Sequence, residues 1–152
     1  MLNAEIITLL MAMVPVVELR GAIPYGVIAG LSVQTAFILA VIGNLLPIPV
    51  LIVFTRKVFE WLRTKSSSLD RLVSRLEAKA EKNKGLVEKY EFFGLMILVA
   101  IPLPGTGAWT GALVAAMMDM RLKRAMPAII VGVIVAGVIV TTLTYGAGAL
   151  FS

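Results

Sequence analysis

A chain of 152 residues that is 59% hydrophobic, with a mean hydropathy of +0.96, stands well above the about 45–50% apolar content of soluble domains. It reads as one small integral membrane domain over residues 1–152. With no cysteine and no histidine, thiolate and imidazole metal sites, cysteine nucleophiles and histidine-dependent acid–base schemes are excluded, so no metal, no cofactor and no enzymatic activity is expected. The net charge of +5 lies beside the apolar segments, where it is a topology signal and not a nucleic-acid footprint.

The N-terminal stretch MLNAEIITLLMAMV has Glu5 as its single charge and no basic region, so it does not resemble a cleavable secretory signal. It opens an apolar block, 3–31, that ELRGAIPY at 18–25 interrupts with charge, glycine and proline. Each piece is about 10–15 residues, which suits a half-helix better than a span, so the block is expected to be a re-entrant hairpin. Residues 34–55 form a largely apolar run as long as the roughly 20 residues a bilayer crossing needs. Within them Asn44, followed by Pro47 and Pro49, reads as a kink with an interhelical hydrogen bond, or alternatively as a ligand contact.

Residues 56–91 form a basic connector. Ser68 is a candidate cap for a helix whose apolar positions Leu69, Leu72, Val73, Leu76 and Ala80 repeat at helical spacing, with Arg71, Arg75, Lys79 and Lys82 on the other face. The bland expectation is a helix lying on the headgroups; the sharper one is a dimer contact or docking surface. The block 92–120 is cut in turn by PLPGTGAWTG at 102–111, so a second re-entrant hairpin is expected, with Asp119 as a membrane-edge charge. Residues 125–151 make a second full span, where Tyr145, Gly146 and Gly148 read as small-residue packing beside an outer-leaflet aromatic. The methionines read as core filler.

Of the fourteen lysines and arginines, all but Arg20 fall in 56–91 or in RLKR at 121–124. Four simple crossings would put those two basic segments on opposite sides. Two re-entrant hairpins leave two crossings, and both segments then face the cytoplasm with both termini outside. The expected fold is all-α: two inverted-topology repeats, each a hairpin followed by a transmembrane helix, joined by a cytoplasmic amphipathic helix. Many secondary transporters are built this way. At an offset of 86, Gly21 and Ala22 meet Gly107 and Ala108, and the remaining likeness is one of hydropathy.

Irregular backbone cannot face lipid, since each unsatisfied polar group there costs several kcal/mol. The two breaks should therefore meet around a cavity. Gly21, Gly105, Gly107 and Gly111 would supply turns and close approach, and Pro15, Pro24, Pro102 and Pro104 would stop helices. A helix starting near Ala108 would aim its N-terminus at an anion, with Thr106 and Thr110 as caps or ligand contacts and Trp109 as a gate, a stacking surface or an interfacial anchor. Glu18 and Arg20 are the sharpest candidates, because intramembrane charges are costly. Arg20 suits an anionic head group and Glu18 a proton carrier; the alternative is a structural ion pair, or an Arg20 that neutralises freed helix carbonyls.

PVVELRGAIPYGVIAGL and PLPGTGAWTGALVAAMMDM resemble the small multidrug export protein family of bacteria and archaea over nearly the whole chain. That family resembles a compact relative of the DedA (VTT-domain) membrane proteins. The resemblance implies two re-entrant hairpins, a place in the prokaryotic plasma membrane and movement of a lipid such as undecaprenyl phosphate, with proton or ion coupling. VEKYEFFGLMILVAIPLPGTGAWTGALVAAMMDMRLKR departs from the DedA pattern in lacking the arginines around the second break.

The expected activity is that of a transporter or lipid translocase for an amphiphile with an anionic head group, with Glu18, Arg20, Gly21, Pro24, Asn44, Pro104, Gly105, Thr106, Gly107, Trp109 and Thr110 as its site. The expected partners are a membrane lipid or amphiphilic small molecule and a second copy of the chain, because two spans hardly enclose a pathway. The rivals are a broad-specificity exporter of lipophilic compounds and a non-transporting scaffold.

Overall fold

The computed structural model describes residues 2–75, 78, 92–103, 106–118 and 120–146, and among them every regular element is helical. The first apolar block gives α1 (Leu2–Met13) and α2 (Glu18–Ile28). They are separated at 14–17, where Pro15 removes a backbone donor and stops the helix. ELRGAIPY is therefore the start of α2 and not the break itself: Gly21 and Pro24 lie inside that helix. Pro24 has no N–H for the Arg20 carbonyl one turn back, and the helix continues past it to Ile28.

Ser32 caps α3 (Val33–Leu45) by accepting from the Thr35 amide at 3.1 Å. After a turn at Leu46 and Pro47 the chain resumes as α4 (Ile48–Arg63). Leu46 and Pro47 both keep right-handed helical backbone, so the apolar run Val33–Thr55 is long enough to cross a bilayer with a proline kink in it, as expected for 34–55. α4 continues eight residues past Thr55, well into the basic connector. The next helix, α5, occupies 67–75. Its cap is Ser66, whose Oγ accepts from the Leu69 amide at 3.1 Å, two residues before the expected Ser68. Val73 of α5 is 1% exposed and belongs to the main core, so α5 is anchored to the membrane domain and does more than rest on headgroups; Leu72 beside it stays exposed. Leu76, Lys79, Ala80 and Lys82 lie outside the described residues.

The second half runs α6 (Phe92–Ala100), a break described at 101–103 and 106–107, α7 (Ala108–Met117) and α8 (Leu122–Tyr145). α8 is the second helix long and apolar enough to span. It begins three residues before the expected 125 and ends at Gly146, whose φ of +94° terminates the helix. Gly146 therefore closes α8, and among the described residues a Cβ there would meet nothing within 4 Å. The close-approach glycines of α8 are Gly132, where a Cβ would press on Val99 and on the Met96 carbonyl of α6, and Gly137, where it would press on the Phe37 ring of α3. Asp119 and Gly148 lie outside the described residues.

Packing repeats between the halves. α1, α2 and α3 pack on one another, and so do α6, α7 and α8, while α3 and α2 lie against α8 and α4 against α7. Leu19, Ile23, Ile48, Leu95, Leu98, Leu113, Ile129 and Val133 fill the shared core. The outer faces stay apolar as well. Ile38, Ile42, Val50 and Val53 on α3 and α4, and Val131, Ile134, Val138 and Leu143 on α8, are exposed. Helices apolar on both inner and outer faces are what a lipid solvent selects.

Candidate functional site

The two breaks meet, and charged and polar groups join them. Glu18 opens α2 at φ +47°, two residues after Val16 at φ +75°. Non-glycine residues rarely adopt these left-handed values, least of all a β-branched one, and they persist only where the surroundings impose them. The surroundings here belong to the other half. The Trp109 backbone amide donates to Glu18 Oε1 at 3.0 Å, and the Trp109 indole Nε1 donates to the Met13 carbonyl at 3.0 Å. The Ala108 amide is also directed at the Glu18 carboxylate, which is 3% exposed.

The helix expected near Ala108 does start there, and the group that meets its N-terminal amides is the chain's own Glu18 carboxyl. Gly107 makes the arrangement possible. Its φ of +111° is available to glycine, and a Cβ on it would collide with Glu18 Oε2. Its own amide donates to the Leu98 carbonyl at 3.3 Å.

Arg20 is likewise engaged by protein. Nη1 donates to the Leu103 carbonyl at 2.8 Å and Nη2 to the Thr106 carbonyl at 3.3 Å, with Glu18 Oε2 3.8 Å away. Its guanidinium thus neutralises carbonyls freed by the second break, the structural alternative that its position allowed. The side chain keeps 24% exposure, so one edge stays open. Thr106 is spent locally, its hydroxyl donating to the Ile101 carbonyl at 2.5 Å and accepting from the Leu103 amide at 3.2 Å. Thr110 is buried in the first turn of α7, whose N-cap is Gly107 with no side-chain cap.

Asn44 reaches the same place from α3, 1% exposed, but without the expected interhelical hydrogen bond to its oxygen: Oδ1 has no partner among the described residues. It lines a small cavity with Glu18, Arg20 and Gly107. Of the expected site, Glu18, Arg20, Asn44, Thr106, Gly107 and Trp109 come together. Gly21 and Pro24 shape α2 behind them, and Pro104 and Gly105 lie outside the described residues. The contribution of Met13, whose carbonyl receives the indole, was hidden, since a backbone acceptor has no sequence signature.

These features define an all-helical membrane protein in which two helix–break–helix units are cross-linked by buried polar groups. The sequence profile of the family titled "Putative small multi-drug export protein" matches residues 18–139, and the chain belongs to that family. The match begins at Glu18 and takes in the second break and most of α8. No curated protein and no solved structure matches the chain.

Proposed function

We propose that this protein exports lipophilic compounds across the membrane, with Glu18 as the group that meets a cationic substrate. The observation that carries this reading is the placement of Glu18: a carboxylate 3% exposed, at the junction of both breaks. An acid buried in an apolar domain is costly and marks function by default. The family's title points to the same class of cargo. Arg20 acts here as a brace, holding the 101–107 segment through the Leu103 and Thr106 carbonyls.

In this reading each helix pair is a re-entrant hairpin and the halves are inverted repeats, supported by the recurring packing of α1–α2–α3 and α6–α7–α8. The basic segments face the cytoplasm, the termini lie outside, and two copies form the working unit. A second reading, a DedA-like lipid translocase for an anionic amphiphile, is favoured by the open edge of Arg20.

Efflux of a fluorescent lipophilic cation from cells decides between them. Loss in Glu18→Gln with retention in Arg20→Lys supports the exporter. Full efflux in Glu18→Gln overturns it. Loss of anionic-lipid movement in both Arg20→Lys and Glu18→Gln, with no cation efflux in the unmodified protein, supports the translocase. Single cysteines at Asn3, Ser68 and Lys123 test topology, since the chain has no cysteine of its own. Labelling of Asn3 alone by an impermeant maleimide is expected, and opposite reports from Ser68 and Lys123 would mean four crossings.

A further inference from the structure

A second cleft, which shares no described residue with the Glu18 cavity, opens where α6 and α8 begin side by side. Gly132 of α8 lies against Met96 and Val99 of α6, and nearer the start of both helices Phe92 walls one cleft with Lys123, Arg124 and Pro127, so the two helices run in the same direction. Met120, just ahead of α8, completes the wall. The cleft measures about 260 Å³, near the lower end of the roughly 300–1,000 Å³ of small-molecule sites. Its walls are of two kinds: Lys123 and Arg124 are cationic and exposed, whereas Phe92, Met120 and Pro127 are apolar. Among the described residues no carboxylate lines it, and Arg121, the exposed N-cap residue of α8, stands outside it. The sequence of α8 sets the level of the cleft. Arg121, Lys123 and Arg124 give way to the apolar run from Ala125 onward, so the cleft straddles the boundary between charge and hydrocarbon. Pro127 also leaves the Lys123 carbonyl without the amide four residues on, an acceptor better placed in a hydrated headgroup layer than in hydrocarbon.

We infer that this cleft seats an anionic membrane phospholipid, its phosphate on Lys123 and Arg124 and the first carbons of an acyl chain against Phe92, Met120 and Pro127. Both parts of such a molecule are complementary to the walls they meet. A soluble anion would use the cations and leave the apolar wall in water, and a lipophilic cation would meet like charge. The volume takes a headgroup and the start of a chain, while the rest of the tails stays in the bilayer. Basic pockets between membrane helices hold lipid headgroups in this manner. Seated there, the lipid joins the start of α6 to the start of α8 and so ties the helix before the second break to a full span. The site is independent of the exporter reading, since Glu18 and Arg20 take no part in it.

The test is thermal unfolding of the full-length protein in detergent at fixed ionic strength, with phosphatidylglycerol, phosphatidylcholine or soluble glycerol phosphate added in increasing amount. A ligand that binds the folded state raises the midpoint with concentration. A rise with phosphatidylglycerol and none with the other two is expected. One basic residue at an anionic lipid surface is worth about fivefold in affinity, so Lys123→Gln should need about fivefold more lipid for the same rise. Arg121→Gln removes the same charge outside the cleft and should leave the curve in place. Equal shifts in the two variants would reduce the effect to diffuse attraction and overturn the site. No rise specific to phosphatidylglycerol overturns it too, and an equal rise with glycerol phosphate replaces the lipid by a soluble anion. Phosphatidylglycerol retained by the intact protein, counted by native mass spectrometry, gives the same comparison where a variant melts early for its own reasons: retention in Lys123→Gln equal to that of the unmodified protein overturns the site.

Discussion

The Trp109 backbone amide donates to Glu18 Oε1 at 3.0 Å across 91 positions of sequence. One hydrogen bond thus ties the start of α2 to the start of α7, and the residue that accepts it is the one whose own backbone is strained. Glu18 thus has a structural role beside the export role proposed for it, and substitutions should separate the two. Glu18→Gln keeps an acceptor for the Trp109 amide, so the protein should fold with a near-normal melting midpoint and lose export. Glu18→Ala leaves that buried amide unpaired, at a cost of about 1–3 kcal/mol, and should lower the midpoint as well. Equal midpoints for the two variants would show that the carboxylate does not brace α7.

Gly107 should be among the least replaceable residues in the chain. Its φ of +111° with ψ near 180° is a conformation other residues avoid, and a Cβ would run into Glu18 Oε2. Gly146 shares the first problem, at φ +94°, but a Cβ there would meet nothing within 4 Å among the described residues. Gly146→Ala should therefore cost about 1–3 kcal/mol from backbone strain alone. Gly107→Ala should cost more and also abolish export, because Glu18 must move. Melting midpoints and efflux for the pair check this; similar losses in both would mean that Glu18 yields without consequence.

The sequence made some of this legible and not the rest, for physical reasons. The long apolar runs that became α3 with the first half of α4, and α8, are composition signals, and a bilayer-length threshold reads them directly. That Glu18 and Arg20 stand out at the junction of the breaks was legible too, because charges are costly where they lie. Their partners were not. An α7 N-terminus attracts an anion by dipole alone, and nothing local says whether that anion is a ligand or Glu18. Arg20 looks free in sequence because its acceptors, the Leu103 and Thr106 carbonyls, are backbone atoms more than 80 residues away. The break was placed at ELRG because charge stands out in a hydropathy profile. The chain turns at Pro15, and α2 carries Gly21 and Pro24 within it because tertiary packing overrides weak helix propensity.

Arg20 and Trp109 brace the two breaks from opposite directions, and their losses should differ in size. Arg20→Ala removes both bonds to the 101–107 segment, one of them at 2.8 Å, and should cost about 1–3 kcal/mol. Arg20→Lys should recover part of this, since an ammonium on a flexible stem cannot reproduce the planar fork. Trp109→Phe keeps the backbone bond to Glu18 and removes only the indole bond to the Met13 carbonyl. Its expected cost is about 0.5–1.5 kcal/mol. Denaturation of the three variants in one detergent gives the order; a Trp109→Phe cost above that of Arg20→Ala would reverse which residue holds the breaks together.

The connector offers a test between two serines, Ser66 and Ser68, two positions apart. A capping oxygen is useful only where it meets an amide with no helical partner, and that geometry is present at Ser66, whose Oγ takes the Leu69 amide at 3.1 Å. Ser68 already lies within α5, so its hydroxyl caps nothing. Ser66→Ala should therefore cost about 0.5–2 kcal/mol, and Ser68→Ala should change little. The loss should appear as global destabilisation because Val73, two turns further along α5, is packed into the main core. Fraying at the start of α5 then strains the membrane domain and is not confined to the connector. Backbone hydrogen exchange over 67–75 together with the melting midpoint checks both parts: faster exchange in Ser66→Ala with an unchanged midpoint would mean that the connector helix is thermodynamically separate from the spans.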